Sequence, residues 1–350
     1  MKILADYHHS SLLNSLYMVL EKRLGHEVYR QIGEAWAEKG FWNVYSHPDT
    51  IKQYLGIRQD FIPKDQTVPL NKFVKEPQDG IYYCEDVSNK GWNRGITWEK
   101  FMETDFDVIL ASLPQHIEPF KRLIREYKPK AKFIFQMGNM FSQVMNNLHE
   151  IPNLLASTIK FPVPTSCNAV FYHQMYDVDL FSPSSLFPEK LITSFVNLLP
   201  QTSKGYLYYM LKSELIEYDF KSYGILTDDG IINTTDDIAW IMKRSAFGYH
   251  VKSGADGFGH IIHNWISSGK PVIVNYGEYK STLAGKLLIP DETCFVLDAD
   301  SDIKNVAEKI SELPPYKYHW MCQQTYNKFK EIVDYDRETE EIKKFLERLN

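Results

Sequence analysis

The amino-acid sequence predicts an α/β protein of two domains, each a parallel β-sheet covered by helices. Three observations carry this expectation. Short apolar strands alternate with helical segments in both halves of the chain, a pattern that buries a parallel sheet between helices. A stretch rich in Pro and Ser, Phe181 to Pro188, separates the two series. A length of 350 residues accommodates two separate cores. The expected division is 1–180 for the first domain and 181–325 for the second. The segment 326–350 reads as a helix packing back on the first domain.

The first series opens with a strand at Lys2–Ala5. A helix follows, its Leu12, Leu13, Leu16, Leu20 and Leu24 recurring near helical spacing until Gly25 stops it. His26–Arg30 reads as the next strand. From Gly33 to Glu99, aromatics and turn residues dominate with little periodicity, which predicts loop-rich insertions. Regularity returns with strands at Phe106–Ser112, Lys132–Gln136 and Leu154–Ser157, and with a helix over Glu118–Tyr127. The second series reads as strands at Ile192–Asn197, Lys221–Leu226, Gly248–Val251 and Pro271–Asn275. Its helices lie at Gly205–Ile216, Thr235–Arg244 (capped by Thr234) and His260–Ser268. After Pro314-Pro315 the chain is charged and helical.

Composition narrows the classes. Hydrophobic residues at 44% and charged residues at 24% exclude a disordered chain. A net charge of -6 gives no general attraction to nucleic acid or anionic membrane, so such a partner needs a local basic patch. The four cysteines, Cys84, Cys167, Cys294 and Cys322, form no Cys-x-x-Cys pair. They read as thiols of a reducing compartment and argue against zinc. A strand at the first residue, with no signal peptide ahead of it and no apolar run near the ~20 residues of a membrane span, predicts a cytoplasmic protein.

The segment Ser253-Gly-Ala-Asp-Gly-Phe-Gly-His260 carries the functional expectation. Its glycines lie between a strand and a helix, where backbone amides can approach a ligand closely. The helix that follows offers unsatisfied N–H groups and the positive end of its dipole to a phosphate or a sugar hydroxyl. His260 and Asn264 fall four apart on one face of that helix. The glycine spacing is not the dinucleotide fingerprint, which needs Gly-x-Gly-x-x-Gly after the first strand.

Asp256-Gly-Phe-Gly259, then Asn264, then Ser268-Gly-Lys-Pro-Val-Ile273 resembles the donor signature of retaining GT-B glycosyltransferases, with its Glu-Gly-Phe-Gly and a second Glu eight residues later. Tyr176-Asp-Val-Asp-Leu-Phe-Ser-Pro183 resembles the interdomain phrase of that family, and Phe195-Val-Asn-Leu with Lys204-Gly205 its Gly-Arg-Leu…Lys-Gly segment. The resemblance covers roughly residues 176–300. It implies two Rossmann-like domains with parallel sheets and an interdomain cleft, and retaining transfer from a nucleotide-diphosphate sugar, UDP-linked above all. It also implies donor contacts by Asn197, Lys204, Gly257, Phe258, Gly259 and Asn264, while His260, just after the glycines, reads as a donor contact or a helix cap. Both acidic positions depart from the family, as Asp256 and Asn264, and Asn197 stands where an arginine is usual. Lys252 can supply the missing charge. In the first domain the resemblance implies roles for His8, His9 and Ser10, which follow the first strand, and for His116 near the donor sugar.

Asp256 can orient sugar hydroxyls or cap the helix after it. Asp177-Val-Asp179 mimics a metal-binding Asp-x-Asp, but its place between domains reads as a linker contact, so no metal or other cofactor is expected. The run Lys121-Arg122…Arg125…Lys128…Lys130…Lys132 reads first as a solvated helix face, and second as a surface for an anionic acceptor. The opening Tyr7-His8-His9, with Leu24-Gly-His-Glu-Val-Tyr-Arg30, is similar to glycosyltransferase-like proteins of phages. That implies hydroxymethylated pyrimidine in phage DNA as one acceptor, in the host cytoplasm, beside a glycan or small molecule. A GT-B epimerase or hydrolase, and a non-catalytic sugar-nucleotide-binding relative, are the other readings.

Overall fold

The structure is a computed structural model that describes residues 1–6, 10–32, 35–41, 79–86, 91–139, 142–185, 188–232, 234–254 and 256–349. Contacts divide these residues into two compact units, one drawn from 1–176 and 335–350, the other from 177–334.

Unit 1 is built on β1 (Lys2–Ala5), β2 (Glu27–Gln31), β3 (Ile81–Asp86), β4 (Gly91–Ile96), β5 (Val108–Ala111), β6 (Lys132–Met137), β7 (Asn153–Ala156) and β8 (Asn168–Phe171). They form one sheet in the order β3-β4-β2-β1-β5-β6-β7-β8, parallel except for the antiparallel pair β3 and β4. Ile3 lies level with Val28 on one side and Val108 on the other, all three buried. Such strands are apolar throughout because both sheet faces are covered. The helix Ile117–Tyr127 contributes Phe120 and Leu123 to this core.

The Gly33–Glu99 expectation needs correction. Residues 42–78 lie outside the description, yet the flanks form the helix Ala35–Glu38 and the β3–β4 hairpin. Three described aromatics of this stretch, Trp36, Phe41 and Trp98, are core residues: Trp36 meets Trp98 edge-on at 5.1 Å, and its indole N–H donates to the Ile96 carbonyl at 3.0 Å. The helix Tyr335–Leu346 also belongs to unit 1. Buried Glu338 accepts the His173 amide at 2.8 Å and pairs with His173 Nδ1 at 2.6 Å, just beyond β8. The Tyr335 hydroxyl donates to the Gln174 carbonyl at 2.9 Å.

Unit 2 is built on β9 (Glu189–Ser194), β10 (Asp219–Ser222), β11 (Ser245–His250), β12 (Val272–Val274) and β13 (Cys294–Val296). The order is β10-β9-β11-β12-β13, parallel throughout. β10 stops before its expected end because Gly224 and Leu226 take positive φ, 141° and 54°, and turn the chain. Thr234 caps the helix Thr235–Arg244, its hydroxyl accepting the Asp237 N–H at 3.1 Å. The helix His260–Ser267 lies so close to β11 that a Cβ on Gly248 would come within 2.5 Å of the Trp265 indole. That glycine lets the helix, and the loop before it, settle against the sheet.

Candidate functional site

In parallel sheets, ligands gather where strands end at their carboxyl termini. In unit 2 that edge carries a polar cluster centred on Asp256. β11 ends at His250, and its Nε2 lies 3.2 Å from Asp256 Oδ2 and 3.0 Å from the Tyr279 hydroxyl. Tyr279 donates to the same Asp256 Oδ2 at 3.2 Å, while the Lys252 ammonium donates to Oδ1. His250 and Tyr279 are buried, whereas the Asp256 side chain keeps 38% of its exposure and Lys252 26%. Burial alone would raise the Asp256 carboxyl, but the His250 ring and the Lys252 ammonium outweigh it. They hold the carboxyl well below the usual carboxylate range. Burial and the nearby Asp256 charge push the Tyr279 phenol far upward, so it stays a donor.

Asn275, directly after β12, fixes the Lys252 backbone from both directions. Its Oδ1 accepts the Lys252 N–H at 3.2 Å, and its Nδ2 donates to the Lys252 carbonyl at 2.7 Å. The Ser203 and Ser253 hydroxyls bond each other, tying the turn before Lys204 to the glycine loop. Lys204 pairs with Glu278 at 3.6 Å, next to Tyr279. Lys204, Lys252 and Asp256 thus belong to one neighbourhood.

Gly259 takes φ 78° and opens the helix His260–Ser267. Phe258 stacks on His263 at 3.9 Å between centroids, and His263 Nδ1 bonds the Gly259 carbonyl at 2.9 Å, which fixes the loop on the helix. Gly257 and the half-buried His260 flank Phe258. Asn264 is 3% exposed and its Oδ1 has no hydrogen-bond partner among the described residues. Asn197 Oδ1 accepts the Ile225 N–H at 2.9 Å, closing the turn after β10.

In unit 1 the corresponding edge carries a His–Asp pair. Asp6 follows β1, its Oδ2 2.6 Å from His116 Nδ1 and 3.1 Å from the Ser112 amide that donates to it. Asp6 is 3% exposed and His116 9%, and the imidazole lies nearly parallel to Phe120. His8 and His9 lie outside the described residues. Ser10 is the first residue of the helix Ser10–Leu16.

Sequence reasoning missed His250, Tyr279, Asn275 and Asp6. Three of the four were marked in one way: a polar residue ends or directly follows an apolar parallel strand. Asp177 Oδ1 accepts the Leu180 N–H at 3.0 Å, a turn contact. No group of three or more metal-ligating side chains occurs among the described residues, nor any helix long and apolar enough to cross a membrane.

The basic run divides. Arg122 donates to the Gly40 carbonyl and covers Phe41, and Lys128 donates to the Met102 carbonyl and covers Phe101. Lys121, Arg125, Lys130 and Lys132 instead line a concavity of about 560 Å³ together with His149 and one carboxylate, Glu150. Lys132 begins β6, so this hollow lies at the amino edge of the sheet, opposite Asp6 and His116.

No family model matches the chain, and no curated protein matches it in sequence. Solved structures match over almost its whole length. The sucrose-phosphate synthase of Thermosynechococcus elongatus is 11% identical with a TM-score of 0.63, covering 99% of this chain and 98% of its own. HepE of Anabaena, solved in complex with UDP and glucose, is 12% identical with a TM-score of 0.63 and 99% of each chain covered. An alpha-glucosyltransferase, solved in complex with UDP and a 13-mer DNA containing a central A:G mismatch, is 9% identical with a TM-score of 0.60 and 99% of each chain covered. The fold of this chain is the GT-B fold of these structures, two α/β units on parallel sheets.

Proposed function

We propose that the chain is a retaining glycosyltransferase that moves a sugar from a UDP-sugar to a hydroxyl acceptor. The observation that carries this reading is the cluster of Lys252, Asp256, His250 and Tyr279, set before the helix opened by Gly259 in a GT-B fold. A nucleotide diphosphate leaves with concentrated negative charge, which needs fixed positive partners. Lys252, Lys204 and the amides of Gly257, Phe258 and Gly259 supply them, the helix dipole adding to the effect. Asn264 and His260 serve the nucleoside and sugar hydroxyls. UDP is the nucleotide bound by HepE and by the alpha-glucosyltransferase, which makes a UDP-sugar the first donor to test.

His116 orients the acceptor hydroxyl, its tautomer fixed by Asp6 at Nδ1, and His8, His9 and Ser10 assist it. The acceptor oxygen bonds to the anomeric carbon as the bond from that carbon to the diphosphate breaks. The hydroxyl proton passes to the departing diphosphate. The acceptor is a glycan, a small molecule or hydroxymethylated pyrimidine in DNA, the DNA option drawing on the DNA-bound alpha-glucosyltransferase.

Incubation with a panel of nucleotide sugars, followed by mass spectrometry of DNA and glycans and NMR of the product anomer, tests the proposal. Release of UDP with a retained anomer on an acceptor supports it. An inverted anomer removes the retaining assignment, and failure of every nucleotide sugar to bind removes the donor site itself.

A further inference from the structure

In the GT-B resemblance the residue at position 256 touches the donor sugar. The geometry around Asp256 points elsewhere. A carboxylate has about four acceptor positions, two on each oxygen. Both positions on Oδ2 are used by the Tyr279 hydroxyl and by His250 Nε2, each at 3.2 Å. These partners are buried and belong to fixed elements, His250 to the end of β11 and Tyr279 to the helix Tyr276–Tyr279. Oδ1 is engaged by Lys252, four residues back in the same loop.

Lys252 is held twice. Asn275 grips its backbone N–H and carbonyl, and Asp256 grips its ammonium. A lysine left free would retain side-chain entropy that a ligand would have to remove. Held in this way, the ammonium is placed beforehand and has two further protons to donate. Asp256 also balances the charge of this half-buried ammonium.

We infer that Asp256 is a positioning residue: with His250 and Tyr279 as its anchors, it places the Lys252 ammonium for the donor diphosphate and does not select the sugar. This rests on the reading of unit 2 as the donor site. It assigns His250, Tyr279 and Asn275 to one supporting frame, and it makes Lys252 the group that meets the ligand.

The two roles separate by ligand. A residue that touches the sugar matters for UDP-glucose and not for UDP, whereas one that places Lys252 matters equally for both. Calorimetric titration of UDP and UDP-glucose into the full chain should show Asp256→Asn weakening both by the same factor, about tenfold. Lys252→Met should weaken both by at least as much. The double variant should be no weaker than Lys252→Met alone, because two residues acting through one contact are not additive. Tyr279→Phe removes one anchor without changing charge and should weaken both ligands by about two- to threefold, a milder variant in case Asp256→Asn unfolds. Loss confined to UDP-glucose, unchanged UDP binding in Asp256→Asn, or additive losses in the double variant overturns the inference. Wild-type protein that binds neither ligand overturns instead the donor-site reading on which it rests.

Discussion

Replacing Gly259 by alanine tests whether the glycine loop is built as described. Gly259 sits at φ 78°, where an L-residue costs about 1–2 kcal/mol. A Cβ there would also lie 2.7 Å from the Ala284 Cβ, about 1 Å inside normal carbon contact. Relieving such an overlap in a packed region costs a further 1–3 kcal/mol or so. Gly254→Ala is the internal control, since Gly254 has φ 73° but nothing within 4 Å of its added carbon. For a unit of this size each kcal/mol moves the melting point by about 2–4 °C. Gly254→Ala should therefore lower Tm by about 2–8 °C, and Gly259→Ala by roughly 2–12 °C beyond that. Scanning calorimetry with and without UDP reads both effects. The stabilisation by UDP should shrink most for Gly259→Ala, because the first turn of the helix His260–Ser267 moves. Equal melting points for the two variants would refute the packing of Gly259 on Ala284, and unchanged melting points in both would refute the positive φ values.

Asp6→Asn should lower kcat by about 100-fold with the KM for UDP-glucose within about twofold, the scale of an acceptor hydroxyl misplaced by about 1 Å; unchanged turnover in steady-state assays removes His116 from the acceptor side. If DNA is the acceptor, Lys130→Glu with Lys132→Glu should flatten the slope of log affinity against log salt by about 2, and an unchanged slope places the basic hollow away from the DNA. Burial pushes the Cys167 and Cys294 thiols up to about 11 and about 12. At pH 8 their thiolate fractions are therefore on the order of 0.1% or less, and mass spectrometry after iodoacetamide treatment should find both unmodified in native protein and alkylated once it is unfolded.

Features set by neighbouring residues were the most legible in the sequence. The loop from Ser253 to His260 reads as strand, glycines, helix because each signal lies within ten residues, and Thr234 announces its helix by local chemistry alone. Contacts made through strand register were hidden. His250 and Tyr279 meet across 29 positions, and Asp6 and His116 across 110, because parallel strands carry them to one sheet edge. The β3–β4 hairpin escaped notice for another reason. It is an edge pair, with Gly91 and Gly95 in its second strand, and so it lacks a long apolar run. Asn197 is read by motif among the donor contacts, and the structure adds what the motif does not carry, an acceptor role for its side-chain oxygen toward the Ile225 backbone.

The grip of Glu338 on His173 has a consequence for the making of the protein. The two residues are bonded in one unit but lie 165 positions apart, with all the described residues of the other unit between them. At synthesis rates of about 5–20 residues per second, roughly 8–33 s pass between the appearance of His173 and that of its partner. During that interval the histidine amide and ring must be satisfied by water or by something else. Of the two units, the one that starts to emerge from the ribosome earlier is thus completed later, and the end of β8 is where a chaperone would have most reason to wait.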